Sequence, residues 1–477
     1  MSNPKSNDQR GIDRRRFLTT FALGAAAAPV LSLGRSVFAR GDSASQSASL
    51  CYSNKRVIGP TDLRYLGAMR VPASGVDMVF TQGAMTGRKV NGQVRLLMAG
   101  SRTVGDPIYE LADTGSYNPD PAQAPRMSLV RSWGKVYGQA RKTWNTNGTL
   151  RDISANDYLG NLYFNETRQL LYWTYYDVYN VSQYQDWCLG ASQLDPNGAV
   201  AFGPWRLAGG GRVGPWRGIQ IGEHPLTGEL LCGSRLQSGN SISPWGPDMW
   251  AGQFPNANTP SGFGSPDLQT QKYLTYYPMI GQVSANGTYS GALKSCRRPG
   301  DYFFEPISGQ TSYNQVDPTK NGGVGSWTEL DAVNSHTWID LPDAHGVIFT
   351  GKLASAHVWY RNAGMGNMLC THGQNSPVDI TGPVSTDAYP MFMVYDPSDL
   401  DAVRTGAKVD YKIDPVHCIN ADSSYGAVTA KIKEVGTART FGGAYFDAST
   451  RKLYIAAPQA DLTTGLLNPL VHVFQIA

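Results

Sequence analysis

The sequence of 477 residues lacks the short cysteine, histidine and serine motifs that mark many enzymes. It has no C-x-x-C or C-x-x-C-H, which excludes a zinc ribbon, a thioredoxin-like motif and a c-type haem site. It has no H-E-x-x-H and no G-x-S-x-G, so neither a zinc-protease helix nor an acyl-transfer serine is predicted. Its six cysteines are far apart, and the sequence leaves both bridges and free thiols open: Cys51, Cys188, Cys232, Cys296, Cys370 and Cys418.

Two loops match ligand-binding motifs only in part. The loop 209–214 reads G-x-G-x-x-G, but Pro215 and a strand follow where a dinucleotide site requires a helix. A second loop has calcium-like spacing but lacks the bidentate acid at its twelfth position: Asp317, Thr319, Asn321, Gly322 and Thr328, with Glu329 one residue later. We therefore predict no metal and no cofactor, with calcium at the second loop as the alternative.

The first 39 residues have the three parts of an export signal: a basic start, a short apolar stretch and small residues before a cleavage site. The run from Arg14 to Leu18 reads Arg-Arg-Arg-Phe-Leu and resembles the twin-arginine signal of bacterial proteins. The stretch 17–33 is diluted by Thr, Gly, Ala and Pro, so it is too weak for a membrane span. Residues 37–39, Val-Phe-Ala, fit the cleavage site. The resemblance implies export by the twin-arginine translocase to the periplasm or beyond, with no membrane span after processing; a buried N-terminal helix is the alternative.

Low charge characterises the chain that remains after cleavage, since only 16% of all residues are charged. Residues 1–39 hold six of the 41 basic groups and two of the 37 acidic groups, which leaves 35 of each in the mature chain. A formally neutral chain disfavours nucleic acid as a partner. Residues 40–56, which begin rich in Ser, Ala and Gly, are predicted to be a flexible tether, and 57–477 a single domain.

A strand-turn-strand pattern recurs along this domain, with aromatic and β-branched strands and Gly or Asp at the turns. The residues that open the second strand of each copy are 74, 60, 117 and 106 residues apart: Leu96, Leu170, Leu230, Val347 and Leu453. Because the last two intervals are about twice a blade's length, we expect one further copy in each. The pattern predicts an all-β fold, a β-propeller of six or seven blades closed by pairing "PLVHVFQI" with "LRYLGAMRVP". Tandem β-sandwiches are the alternative.

In a propeller, the segments that lead into the innermost strands gather at one mouth of the ring, where function usually lies. Here those segments hold an imidazole, a phenol, guanidinium groups, a carboxylate and indoles. We predict catalytic roles for His336, Tyr158 and Arg217, and substrate-binding roles for Trp216, Trp338, Asn334, Asp157 and Arg439.

This mixture of side chains suits an acidic sugar. Indole faces stack on sugar rings, and a guanidinium pairs with a carboxylate. In a polysaccharide lyase, Arg would neutralise the uronate, His or Tyr would abstract the acidified proton, and a second Tyr or His would protonate the leaving oxygen. In these residue types the chain resembles secreted β-propeller lyases and glycosidases of uronic-acid glycans, which implies a polysaccharide or oligosaccharide ligand.

Three functions follow from these observations. The first is an exported carbohydrate-active protein, in its specific form a lyase that cleaves an acidic polysaccharide. The second is a non-enzymatic periplasmic binding or scaffold propeller, because a fold does not imply activity. The third, a redox enzyme with an inserted cofactor, is suggested only by the export route.

Overall fold

Short strands joined by turns make up most of the described structure, which is a computed structural model. At strand ends that border its gaps, such as 157–158 and 353–361, only the backbone is described. All of the described residues fall within the unit Ala44–Ala477, and no helix among them is long and apolar enough to cross a membrane. The described residues are 52, 54–79, 81, 83–144, 150–152, 157–177, 187–208, 219–234, 236–237, 247–259, 261, 268–275, 283–284, 287–288, 332–361, 382–409, 413–421, 424, 440–461 and 468–477.

The first blade shows the unit from which the fold is built. Two N-terminal strands precede it, β1 (Arg56–Val57) and β2 (Leu63–Arg70). Between the first two strands of the blade, Asn91 and Gly92 both have positive φ, as a tight Asn-Gly hairpin turn requires. The blade is an antiparallel sheet in chain order: β3 (Met85–Val90), β4 (Gln93–Ala99), β5 (Ile108–Ala112) and β6 (Ser128–Gly134).

Four more blades of four strands repeat this unit. The hairpin β7 (Lys142–Trp144) and β8 (Leu150–Asp152) precedes the second blade, which is β9 (Asp157–Asn165), β10 (Leu170–Asp177), β11 (Trp187–Gln193) and β12 (Val200–Ala208). The third blade is β13 (Ile219–Glu223), β14 (Leu230–Ser234), β16 (Met249–Gly252) and β17 (Leu268–Thr275). The strand β15 (Leu236–Gln237) follows β14 in the chain but pairs with the first strand of the fourth blade. A hairpin, β18 (Val283–Ser284) and β19 (Gly287–Thr288), precedes the fourth blade, which is β20 (Ala332–Asp340), β21 (Ala344–Arg361), β22 (Gly382–Tyr395) and β23 (His417–Asn420). The fifth blade contains β24 (Ala444–Asp447), β25 (Lys452–Asp461) and β26 (Asn468–Ile476). Parallel pairing of β12 with β17 joins the second and third blades into one eight-stranded sheet, and β1 and β15 extend the fourth to six strands.

The α-helix α1 (Pro397–Arg404) connects β22 to β23. Its N-cap is Asp396, whose carboxylate accepts a hydrogen bond from the amide of Ser398 at 2.8 Å. A proline occupies the first helical position, where its missing N–H is not needed. Three single 3-10 turns complete the described elements: Pro60–Asp62, Arg102–Val104 and Gly138–Ala140.

An apolar core fills the space between each pair of successive blades, because alternate side chains of a strand point to opposite faces of its sheet. In β4, Leu96 packs toward the fifth blade and Leu97 toward the second. In β10, Tyr172 packs toward the third blade and Trp173 toward the first. Five such cores lie among the described residues, one for each blade interface. The first strands β3, β9, β13, β20 and β24 contact one another in that order, and β24 contacts β3. The fold is therefore a β-propeller.

The N-terminal strand β2 closes the ring. It pairs antiparallel with β26, from Leu63 opposite Ile476 to Arg70 opposite Leu470, and so becomes the outermost strand of the fifth blade. The predicted pairing of the two terminal strands is confirmed.

The predicted six or seven blades are not confirmed, since the described residues form five. The five residues named as openers of second strands all lie in the second strands β4, β10, β14, β21 and β25. In the described residues, the two long intervals do not contain the additional blades that were predicted. The first contains β16, β17 and a hairpin before the undescribed 289–331, and the second contains the long strands β21 and β22 and the helix α1. Spacing therefore overestimated the number of blades.

The strand directions give the propeller two distinct faces. We call upper the face where the first strands begin and the second strands end, and lower the opposite face. On the lower face, first and second strands are joined by short turns: 91–92, 166–169, 224–229, 341–343 and 448–451. On the upper face the chain makes far longer connections, including 135–156, 276–331, 362–381 and 421–443. Most residues of these connections lie outside the described part of the chain.

Candidate functional site

Polar side chains of the first strands occupy the axis of the ring. The amide of Asn161 in β9 donates to the hydroxyl of Ser335 in β20 at 3.2 Å. The amide of Asn334 donates to Thr440 Oγ1 and to the carbonyl of Phe441, both at 2.6 Å. Asn161, Asn334 and Ser335 are all buried, so they join the second, fourth and fifth blades rather than line an open channel.

His336 lies in the middle of β20 and is only 4% exposed. Its Nδ1 is 3.0 Å from Oε1 of Gln220 in β13, and its Nε2 faces Gly222, where a Cβ would lie 2.8 Å away. Burial lowers the pKa of His336 to about 3, so the ring is neutral and Nδ1–H donates to Gln220. The sequence predicts His336 in a segment that leads into an innermost strand, but that strand, β20, already begins at Ala332. In this position His336 ties the third blade to the fourth; its catalytic role stays a prediction.

Trp338 lies near the lower end of β20, away from the upper face on which substrate binding was predicted. Its ring packs 4.1 Å from that of His224, within the core between the third and fourth blades. Because β20 begins at Ala332, six residues before Trp338, this tryptophan lies well inside the strand, on the face that points into this core. The structure thus gives Trp338 and Asn334 contacts between blades.

The remaining predicted residues border or lie in the upper connections. The backbone of Asp157 and Tyr158 begins β9 on the upper face, opposite Asp177 and Tyr176 of β10, as expected from the sequence. Trp216, Arg217 and Arg439, the calcium-like loop 317–329 and the signal 1–39 lie outside the described residues. The meeting of Tyr158, Arg217 and His336 at one opening therefore stays a prediction.

Sequence reasoning missed a charged cluster on the upper face, between the first and second blades. Asp106 lies in the connection from β4 to β5, and Tyr175 lies near the upper end of β10. Arg141 lies in the connection between the blades, with Nη2 3.4 Å from Asp106 Oδ2 and Nε donating to the Tyr175 hydroxyl at 3.2 Å. That hydroxyl donates to Asp106 Oδ2 at 2.9 Å, so the three groups form a closed triangle.

Burial sets the electrostatics of this cluster. Burial raises the pKa of the Asp106 carboxyl, while the Tyr175 hydroxyl and the Arg141 guanidinium oppose the rise. Desolvation also raises the pKa of Tyr175 well above its ordinary value, which keeps the phenol protonated as a donor. Asp106 has a left-handed backbone, with φ of 54°, a conformation that is uncommon for residues other than Gly and concentrates at functional sites.

No sequence motif joins these three residues, because blade packing alone brings them together. Tyr175 is fully buried, so its ring is not open to a ligand; it contributes its hydroxyl to the cluster and its ring to the packing of Arg141. Arg141 is the member of the cluster that reaches solvent, with 28% of its side chain exposed.

The lower face is held by ion pairs between blades. His224 accepts the amides of Leu226 and Thr227 at Nδ1, at 3.2 and 3.3 Å, so Nε2 carries the proton and donates to Asp401 Oδ1 at 3.2 Å. Arg404 of α1 pairs with Glu229 at 2.8 Å. These bonds tie the short turn of the third blade to α1, and they indicate a structural face. Within the described ranges, no group of three or more His, Cys, Asp or Glu side chains could hold a metal ion.

Two cysteines have defined states. Cys232 is a buried free thiol, and burial raises its pKa, so it is unreactive. Cys418 of β23 is disulfide-bonded.

Comparison with known proteins gives structural similarity only. No family model and no curated protein matches the sequence. Among solved structures, the chain is similar to a glycosyl hydrolase from Bacteroides ovatus, with a TM-score of 0.32 and 9% identity over 89% of this chain and 93% of that one. It is also similar to a variant α-L-arabinanase from Cellvibrio cellulosa, with a TM-score of 0.35 and 10% identity over 83% and 92%. A third is an α-L-arabinofuranosidase from Podospora anserina in complex with cellotriose, with a TM-score of 0.32 and 9% identity over 87% and 98%. Scores this low leave the fold assignment to the strand pairing described above.

Proposed function

We propose that the protein is an exported carbohydrate-active β-propeller that binds an acidic polysaccharide or oligosaccharide on its upper face. The observation that carries this proposal is the difference between the two faces. The lower face has the short turns between first and second strands, the helix α1 and inter-blade ion pairs, whereas the longest connection, 276–331, and the partly exposed side chain of Arg141 lie on the upper face. Ligand sites concentrate on long loops that a rigid scaffold positions.

Export is supported by two independent features. The order of Arg-Arg, Phe-Leu, apolar stretch and small residues in 1–39 is that of a twin-arginine signal. The disulfide of Cys418 belongs to an oxidising compartment such as the periplasm or the exterior. We therefore propose the periplasm or the extracellular space as the site of action and the twin-arginine translocase as a transient partner.

The specific form of the proposal is a lyase. An arginine on the upper face would neutralise the uronate carboxylate, and a base would remove the acidified α-proton before the glycosidic oxygen leaves. Tyr158 is our candidate for the base, because its backbone begins β9 on the upper face. His336 is buried and bonded to Gln220, so in this proposal it positions the first strands.

The test is a panel of acidic glycans, which would include alginate, pectin, ulvan and glucuronan, with carboxyl-reduced polymers as controls. Lyase activity would produce an unsaturated uronate, seen as new ultraviolet absorbance, and Tyr158→Phe should remove it. Hydrolysis would instead release reducing ends without absorbance. Absence of both binding and cleavage across the panel would refute the carbohydrate proposal.

A non-enzymatic binding propeller is the second candidate, and the occupied axis favours it. Asn161, Ser335 and His336 fill the region where the catalytic groups of the first hypothesis were expected to face a channel. Under this alternative the wild type binds an oligosaccharide stoichiometrically and leaves it intact after prolonged incubation, as mass spectrometry of the recovered ligand would show.

A further inference from the structure

We infer that Arg141 is the anchor for a carboxylate of the ligand, held in place by Asp106 and Tyr175. This inference deepens the proposed function and rests on it, because it assigns an acidic sugar to a defined subsite between the first and second blades. None of these three residues belongs to the set predicted from the sequence.

Among the described residues, one edge of the Arg141 guanidinium has no hydrogen-bond partner. Nε donates to the Tyr175 hydroxyl at 3.2 Å, and Nη2 lies 3.4 Å from Asp106 Oδ2. Arg carries five N–H donors in a planar fork, so the donors of Nη1 and the second proton of Nη2 have no partner among these groups. Asp106 is 3% exposed and Arg141 reaches solvent, so a ligand on the upper face meets the guanidinium and not the carboxylate.

The surroundings fix the guanidinium before any ligand arrives. It lies over the rings of Tyr175 and Tyr137, with centroids 5.3 and 5.9 Å from its central carbon. The Tyr137 hydroxyl donates to the carbonyl of Asp106 at 2.5 Å, which holds the left-handed turn in place. A side chain held in this way loses little entropy on binding, and a planar fork fits a carboxylate better than a single ammonium does.

The charged residues nearest to Arg141 in the sequence and in the cluster are Lys142, Asp152, Arg102 and Asp106. Lys142 follows Arg141 but pairs with Asp152 at 2.7 Å, and the carboxylate of Asp152 is well exposed. The positive charge of Arg102 also acts on Asp106. The positive charges of Arg141 and Arg102 both act on the one buried carboxylate, and a guanidinium favours an incoming carboxylate over a neutral hydroxyl.

The experiment compares an oligouronate with its carboxyl-reduced neutral counterpart by titration calorimetry, on the mature protein. For the wild type we expect preference for the oligouronate. Arg141→Gln should weaken oligouronate binding about 10- to 100-fold, the range of one charge-assisted pair, and leave binding of the neutral sugar nearly unchanged. Arg141→Lys should retain part of the preference. Lys142→Gln, one residue away and paired only at the surface, is the control and should retain all of it.

A purely structural role would change stability without changing selectivity, so each variant is also melted. Asp106→Asn tests the positioning role and should reduce oligouronate affinity while neutral-sugar affinity stays constant. If Arg141→Gln does not fold, the test is whether Arg141→Lys has a reduced preference for the oligouronate over the neutral sugar. Equal loss for both sugars, or an unchanged preference in a folded Arg141 variant, overturns the carboxylate anchor and leaves the proposed function intact. Failure of the wild type to bind either sugar overturns both.

Discussion

Two histidines in the interior of the propeller are kept neutral by burial. His336 is bonded to Gln220, and His472 of β26 lies 3.0 Å from the hydroxyl of Tyr65. In each ring Nε2 is buried with no hydrogen-bond partner among the described residues. Burial lowers the pKa of both imidazoles from the ordinary 6.5 to about 3. Both side chains are thus neutral structural groups at neutral pH.

These buried imidazoles predict loss of stability in acid. Below about pH 6.5 the unfolded chain takes up a proton at each histidine, while the folded protein does not until about pH 3, so the free energy of unfolding falls as the pH falls. The expected slope is about 1.4 kcal/mol per pH unit for each histidine within this window. Urea unfolding of His336→Gln between about pH 7 and pH 4.5 should show a slope shallower by about that amount.

The glutamine keeps a donor for Gln220, so we expect His336→Gln to lose only about 1 kcal/mol at neutral pH. His417→Gln, at a half-buried histidine of β23, controls for the substitution itself. An unaltered slope in His336→Gln would mean that this imidazole is protonated in the folded protein.

At the scale of elements, the chain segments that lead into the first strands of the first and fifth blades approach one another through glycine. The amide of Gly443, just before β24, donates to the carbonyl of Gly83 at 2.7 Å, which joins the fifth blade to the first. A Cβ at Gly443 would lie 2.4 Å from the amide nitrogen of Met85, a contact with backbone that cannot rotate away. The narrow ring of five blades depends on this absence of side chains.

Gly443→Ala should therefore destabilise the propeller by about 1–3 kcal/mol, as overpacking of a filled core does. Gly59→Ala is the matched control, because its nearest neighbour would be the His417 ring at 3.3 Å, a side chain that can move. Chemical denaturation of both variants tests the difference. Similar midpoints for the two would show that the first strands can separate without a cost.

The strands were largely predictable from the sequence, but the number of blades was not. Alternation and turn chemistry are local, so Leu96, Leu170 and Leu453 were correctly assigned to second strands. Ring closure followed from the apolar character of both terminal strands. Blade number was inferred from chain length between copies, which also counts insertions such as 276–331. The buried polar run from Asn334 to His336 has the composition of a loop, which explains why its place inside a strand was not predicted.

At the scale of the whole molecule, the candidate site depends on which blades are neighbours. Asp106 and Arg141 are 35 residues apart and meet Tyr175 only because consecutive blades pack side by side. No periodicity in the sequence predicts that these three residues are in contact. Asp157 and Tyr158 could be placed because they stand at the start of a recognisable strand. Sequence therefore indicated the proposed ligand-binding face better than the residues of the candidate site on it.

Export of this whole molecule in a folded state is the last prediction. A twin-arginine signal requires both of its paired arginines, so Arg14→Lys combined with Arg15→Lys should leave the precursor, with residues 1–39 attached, inside the cell. Wild type should appear outside the cytoplasm, shortened to begin at Arg40 and with Cys418 oxidised. Fractionation, N-terminal sequencing and thiol labelling under denaturing conditions measure these outcomes.

Lys5→Gln, a basic residue upstream of the paired arginines, is the control and should be exported normally. Export of the double lysine variant at the wild-type level would exclude the twin-arginine route. A reactive Cys418 in the exported wild type would contradict the disulfide on which the oxidising compartment partly rests.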